Sequence, residues 1–314
     1  MKNITSLIFA AVFAVVLLWW VSLPSKPATV VISENASAKQ IAEMLYGANT
    51  ISSRTLFRAA VKLSGRSKSL KAGTYFIPAR TSIFGIIRML SSGRGTYIKV
   101  TIPEGFTARE IADTLSAKGI INKDKFLQMV SEKDLEGYLF PDTYYFDRNL
   151  PEQVIVDKML REFEKNFTHP MQKRAVELNM GKKKIVTLAS LIEKEAVLPG
   201  ERAHISGVFY NRLKKGWMLE SCATVQYALG QHKTTLTYKD TKVNSPFNTY
   251  RCYGLPPGPI CNPGRDSINA ALYPEQTEDM FFVAAGSGTH VFSRYFSEHI
   301  INKIKNKKKK NQAR

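Results

Sequence analysis

Ile185-Val-Thr-Leu-Ala-Ser-Leu-Ile-Glu-Lys-Glu-Ala196 reads as the end of a core-facing helix that carries a carboxyl inward with it. Ile185, Leu188, Ala189, Ile192 and Ala196 recur at the i, i+3, i+4, i+7 spacing of an apolar stripe. At about 100° of rotation per residue, Glu195 falls about 20° from Leu188 and Glu193 about 140° from it. The spacing therefore aims Glu195 into the protein or a cleft and predicts that Glu193 faces water. Near a helix C-terminus and against apolar neighbours, a carboxyl resists ionisation through both desolvation and the helix dipole. Those are the conditions for a general acid at neutral pH. A last-turn glutamate that simply faces solvent is the bland alternative.

A series of motifs follows: Glu201-Arg-Ala-His-Ile-Ser-Gly-Val-Phe-Tyr-Asn-Arg-Leu213, which reads as a second amphipathic helix, then Leu219-Glu-Ser-Cys-Ala-Thr-Val-Gln-Tyr-Ala-Leu-Gly230 and Asn244-Ser-Pro-Phe-Asn-Thr-Tyr250. It runs on through Gly254-Leu-Pro-Pro-Gly-Pro-Ile260, Asn262-Pro-Gly264 and Ser267-Ile-Asn-Ala-Ala-Leu272 to Gly288-Thr-His-Val-Phe-Ser293. The series resembles the YceG-like family of membrane-anchored endolytic murein transglycosylases, which cut peptidoglycan glycan strands. The resemblance runs from the N-terminus to about His299. It implies that the second glutamate of Glu193-Lys194-Glu195 is catalytic, the residue that the helical phase selects independently. Where much of the family has Asp-Pro before Thr-Val, this chain has Cys222-Ala223, and no catalytic role is assigned to that spot. Candidates for binding N-acetylmuramic acid and N-acetylglucosamine units are Asn211, Gln226, Asn248, Tyr250 and His290. Asn248 and Tyr250 sit on a polar-aromatic loop, and His290 could meet substrate or Glu195. Gly254-Leu-Pro-Pro-Gly258 is a turn of low conformational freedom.

Ile4 to Leu23 is an almost unbroken apolar run ending in Trp19 and Trp20, about the 20 residues that a bilayer-spanning helix needs. A cleaved signal peptide is the rival, but no Ala-x-Ala site follows. The expected arrangement is single-pass in the cytoplasmic (inner) membrane with the bulk of the chain outside the cytoplasm. Formal charge is +19 from 45 Lys+Arg and 26 Asp+Glu, which suits polyanionic neighbours. Export argues against nucleic acid as the partner. Three cysteines, Cys222, Cys252 and Cys261, would permit one bridge from Cys222 to either of the others. No Cys-x-x-Cys or His-Glu-x-x-His spacing exists, so neither a metal nor a cofactor is expected.

An internal repeat recurs at an offset of 70: Ile32, Glu34, Ala38, Ile41, Ala42, Leu45 and Ile51 match Ile102, Glu104, Ala108, Ile111, Ala112, Leu115 and Ile121. Each copy reads as a strand, an N-capping Ser37 or Thr107, and two helices, the second starting near Arg54 or Lys123. A strand at Ala72–Ile77 and a helix at Ser82–Leu90 complete the first copy. This β-α-α-β unit resembles a LysM-like subdomain, a glycan-binding module; a plain packing unit is the alternative. Glu136-Gly-Tyr-Leu-Phe-Pro-Asp-Thr-Tyr-Tyr-Phe146 follows, with Asp142 as its charged residue of note, and its aromatics could serve sugar rings or the core. The expected organisation is α+β. Its parts are a transmembrane anchor (1–24), the LysM-like subdomain (25–97), the second copy and connector (98–150), the catalytic region (151–302) and a basic disordered tail (303–314).

The resemblance implies a lytic transglycosylase. Ordinary glycosidases flank the bond with two carboxyls, whereas one acid suffices if the sugar's own C6 hydroxyl is the nucleophile and closes a 1,6-anhydro ring. The glycan strand is then the partner, together with cell-wall synthases. A peptidoglycan-binding anchor without catalysis and a hydrolytic muramidase are the competing readings.

Overall fold

The computed structural model describes residues 27–93, 98–146, 150–231, 233–286 and 288–312. The run Ile4–Leu23 lies outside them, and among the described residues no helix is long and apolar enough to cross a membrane. The chain divides into two compact units, 1–99 with 145–149 and 100–144 with 150–314.

In the first unit β1 (Ala28–Ile32) and β2 (Gly73–Ile77) pair antiparallel, Val30 opposite Tyr75. Between them run α1 (Ala38–Gly47) and α2 (Arg54–Leu63), and α3 (Ile83–Ser92) follows. Strand alternation turns Val30 and Ile32 inward onto Ile41, Leu45, Phe57 and Ile86 and leaves Val31 in solvent.

The repeat is structural as well as sequential. β3 (Ile98–Thr101), α4 (Ala108–Ala117), α5 (Lys123–Glu132) and β4 (Thr143–Phe146) retrace the order of the first copy. Both first helices begin in a capping box. The Ser37 hydroxyl accepts from the Gln40 N–H while the Gln40 side chain accepts from the Ser37 N–H. Thr107 and Glu110 do the same for α4. The left-handed turn residues coincide too: Asn35 (φ 59°) with Gly105 (φ 77°), and Asn49 (φ 53°) with Gly119 (φ 64°).

The second unit continues with α6 (Glu152–Asn166), α7 (His169–Glu177), α8 (Lys182–Glu195), α9 (Arg202–Lys214), α10 (Cys222–Leu229) and α11 (Arg265–Leu272). It ends in the antiparallel hairpin β5 (Phe281–Gly286) and β6 (Thr289–Ser293), followed by α12 (Phe296–Gln312). The expectation of a disordered tail from residue 303 is corrected over 303–312, which continue α12. The Asn302 and Asn306 amides donate to the Ser293 hydroxyl and the Ala284 carbonyl, fixing the helix to the hairpin.

α8 is the central helix, packed by α7, α9, α10 and α11, and every residue from Ile185 to Ile192 is buried. Its polar members are satisfied locally: the Thr187 hydroxyl donates to the Lys183 carbonyl and the Ser190 hydroxyl to the Thr187 carbonyl. A helix enclosed all round has no water face, so the expectation for Glu193 is corrected. Its side chain is 8% exposed and lies 3.8 Å from the Arg202 guanidinium. Its carboxylate accepts from the N–H of Gly264, the N-cap of α11, at 2.9 Å.

α9 lies directly under the segment 275–279. The Glu275 N–H donates to the Ala203 carbonyl, and a Cβ on Gly207 would stand 2.4 Å from the Glu275 carbonyl oxygen and 2.9 Å from Thr277 Cγ2. Backbone cannot yield as a side chain does. Gly207→Ala is therefore expected to destabilise the protein by about 1–3 kcal/mol, read as a lowered thermal midpoint. Gly47→Ala, with open space around the added atom, should leave the midpoint unchanged or raise it.

Candidate active site

A cleft of about 990 Å³ in the second unit is lined by the end of α8, the start of α4, Glu136, and the first two turns of α10. Glu195, the last residue of α8, opens onto it. Two donors at the head of α10 hold its carboxyl. The Ser221 hydroxyl donates to Oε1 at 2.5 Å, and the Ala223 backbone N–H donates to the same carboxyl. Ser221 occupies the N-cap position of α10, yet its hydroxyl caps nothing in its own helix. The glutamate thus lies at the positive end of the α10 dipole as well as at the negative end of its own.

Burial raises the pKa of Glu195 above the ordinary carboxyl range, and this outweighs the two hydrogen bonds and the charges of His290 and Arg212, all of which favour ionisation. The same carboxyl therefore keeps its proton to higher pH than an ordinary glutamate and is stabilised once it has given the proton up. Replacing Ser221 with Ala should remove one stabiliser of the anion and raise the pKa further. The expected result is an alkaline limb of the kcat/KM profile displaced upward by about one pH unit. A profile that does not move would mean that the hydroxyl is idle.

Glu136 is one of the further carboxyls on the cleft wall, with Glu104, Glu110, Asp134 and Glu193, and the sequence reading, which singled out Asp142, passed over it. Asp142 closes a local turn onto the Thr143 N–H. Glu136 accepts from the Ala108 N–H at 3.0 Å, the Asn262 amide at 2.9 Å and the Tyr227 hydroxyl at 3.5 Å. Burial pushes it up to about 7 despite those three donors. The signal that could have found it was its position at the head of the Gly-Tyr-Leu-Phe-Pro-Asp motif. Its neighbour Asn262 is fully buried. Asn262 also donates to the Phe106 carbonyl and accepts from the Leu139 N–H, joining three distant loops behind the cleft.

The other candidates divide. Gln226 lines the cleft, with its amide oxygen taken by the Lys233 N–H. Tyr250 stands behind the cleft wall, its hydroxyl 3.2 Å from the Cys222 sulfur. His290 does not touch Glu195 by hydrogen bond. Its Nδ1 is 2.7 Å from Glu201, whose other oxygen accepts the His290 N–H; its reach to Glu195 is electrostatic. Asn211 and Asn248 are committed to backbone. The first donates to the Thr277 and Asp279 carbonyls. The second, with no exposed surface, donates to the Thr241 and Val243 carbonyls. Arg212, absent from the sequence reading, is buried and donates to the Met280 and Leu219 carbonyls. All three cysteines are free thiols. Among the described residues no cluster of three His, Cys, Asp or Glu side chains could hold a metal ion.

Comparison with known proteins gives this geometry relatives. The chain is 35% identical over 306 residues to a Bacillus subtilis protein named endolytic murein transglycosylase, covering 88% of this chain and 83% of that one. A Streptococcus pneumoniae protein of the same name is 28% identical over 330 residues, which take in 89% of this chain and 59% of that one. The crystal structure of a yceG-like protein from Listeria monocytogenes superposes with a TM-score of 0.61 at 33% identity, covering 88% of this chain and 98% of that one. A model of the YceG-like family matches residues 30–305. On this match and these identities, the chain belongs to the YceG-like family.

Proposed function

We propose that this protein is an endolytic lytic transglycosylase that cleaves the MurNAc-GlcNAc bond of peptidoglycan glycan strands. The observation that carries the reading is Glu195, a carboxyl whose pKa burial raises, at the edge of a large cleft and backed by anion-stabilising donors. Relatives that share most of the chain bear that activity in their names.

In the proposed reaction Glu195 gives its proton to the glycosidic oxygen as the C1–O bond breaks, and the GlcNAc 4-hydroxyl leaves. Positive charge develops at C1 of the muramyl unit beside the new carboxylate, which Ser221 and Ala223 stabilise. The muramyl C6 hydroxyl then attacks C1 and returns its proton to Glu195, closing the 1,6-anhydro ring. No water is consumed, and the intramolecular nucleophile supplies the effective concentration.

One observation favours a hydrolytic muramidase instead: the same cleft carries further carboxyls, the buried Glu136 among them. The oxygens of Glu136 already accept from Ala108, Asn262 and Tyr227, and this commitment to protein donors disfavours it as the base that activates water. Mass spectrometry of digested glycan strands decides between the two: 1,6-anhydro ends support the transglycosylase, and free reducing ends overturn it. As further parts of the proposal, Ile4–Leu23 anchors the enzyme in the cytoplasmic membrane with its cleft outside. Nascent strands delivered by cell-wall synthases are its substrate, and the LysM-like first copy guides them.

A further inference from the structure

Four exposed apolar side chains of the second unit, Trp217, Phe296, Ile300 and Ile304, lie where two distant segments meet. α12 packs on the β5–β6 hairpin through His299, Asn302 and Asn306. At about 100° per residue these three occupy one arc, and Phe296, Ile300 and Ile304 step away from it at about 40° intervals, Phe296 beside the hairpin and Ile304 on the far side. Phe296 is 57% exposed, Ile300 37% and Ile304 52%. Lys303, Lys307 and Lys308 are exposed among them. From some eighty residues earlier, the α9–α10 turn brings Lys214, Lys215 and Trp217 to the same place. The Trp217 and Phe296 rings both lie against Phe281, at 5.7 and 5.6 Å between centroids, and Trp217 remains 42% exposed.

We propose that this patch, the outer face of α12 with the Lys214–Trp217 turn, docks on an anionic bilayer surface. Three features select that occupant. A helix with an aliphatic stripe edged by lysines inserts its apolar face at the headgroup boundary while the ammonium groups meet lipid phosphates. An indole at the patch edge belongs at that boundary. A hydrated acidic polymer would engage the lysines but would leave Phe296, Ile300, Ile304 and Trp217 without a partner, which makes it the weaker fit. The proposal does not depend on the bond chemistry assigned to Glu195.

The full chain should be placed in bilayer nanodiscs of purely zwitterionic lipid and in discs containing an anionic phospholipid, and its amide hydrogen exchange compared. Exchange across 296–308 and 214–218 should slow in the anionic discs alone, and high salt should abolish the effect. Each lysine near such a surface adds roughly fivefold in occupancy, so the Lys307→Glu, Lys308→Glu double variant should lose on the order of tenfold or more of the protection. Ile304→Ser with Trp217→Ser should also lose it. Thermal midpoints measured beside each variant distinguish lost docking from lost folding. Equal exchange in both disc types, or protection that appears only with an added anionic wall polymer, would overturn the proposal. Either result would leave the glycan products, and hence the proposed activity, unaffected.

Discussion

Glu195→Gln should abolish release of glycan products while leaving the thermal midpoint near that of the parent. Gln keeps the size of the side chain and an oxygen to accept from Ser221 and Ala223, but it has no proton to give at neutral pH. General acid–base help of this kind is worth roughly 10² to 10⁴ in rate. Because in the proposed reaction the same group acts first as acid and then as base, the loss belongs at the upper end. Glu193→Gln is the matched control. Its amide oxygen can still accept the Gly264 N–H, and cleavage should persist. Activity retained by Glu195→Gln, or lost only in Glu193→Gln, would sink the assignment.

A second large effect is expected in stability against pH. Glu136 has a folded pKa of about 7 against an ordinary value of 4.5, so between those limits the folded state binds more protons than the unfolded one. Stability must then fall as pH rises through that window and level off above it. The full shift corresponds to at most about 3 kcal/mol. Glu195, also raised, acts in the same direction and is common to both proteins in the comparison. Glu136→Gln places an amide oxygen where Ala108 and Asn262 donate and an amide N–H toward Tyr227 Oη. It should therefore flatten the fall between pH 4.5 and 7 in chemical-denaturation curves. Curves for parent and variant that run parallel would show that Glu136 ionises as freely as an exposed carboxyl.

Much of this was legible in the sequence because its signals were local. The capping residues Ser37 and Thr107 act within their own first turns, and the strand alternation around Val30 and Val31 is readable from neighbours two positions away. Glu195 was legible because one face of α8 carries an unbroken apolar stripe. Glu193 was not, because α11, some seventy residues downstream, supplies the cover for the other face. Asn248 and Asn211 looked like ligand-facing amides on type alone; what binds them is backbone brought in by folding. Glu136 was hidden for the opposite reason. Its motif is conspicuous, but its donors come from residues 108, 227 and 262, and only their convergence makes a buried carboxyl of it. The lysine-rich end read as solvated tail because composition cannot show that every third or fourth residue finds a hairpin to rest on.

The paired turns at Asn35 and Gly105, and at Asn49 and Gly119, have a historical consequence. Two stretches that share caps, strand order and left-handed positions at a constant spacing are most simply descendants of one duplicated ancestral unit. The copies have since diverged in task. The first kept its helices around a self-contained core, whereas the second lends Gly105, Thr107 and Ala108 to the cleft and the Ala108 amide to Glu136. Half of the wall around the chemistry was thus recruited from a pre-existing scaffold module. That origin accounts for Glu195 on one helix sharing a cleft with a wall contributed from some ninety residues earlier in the chain.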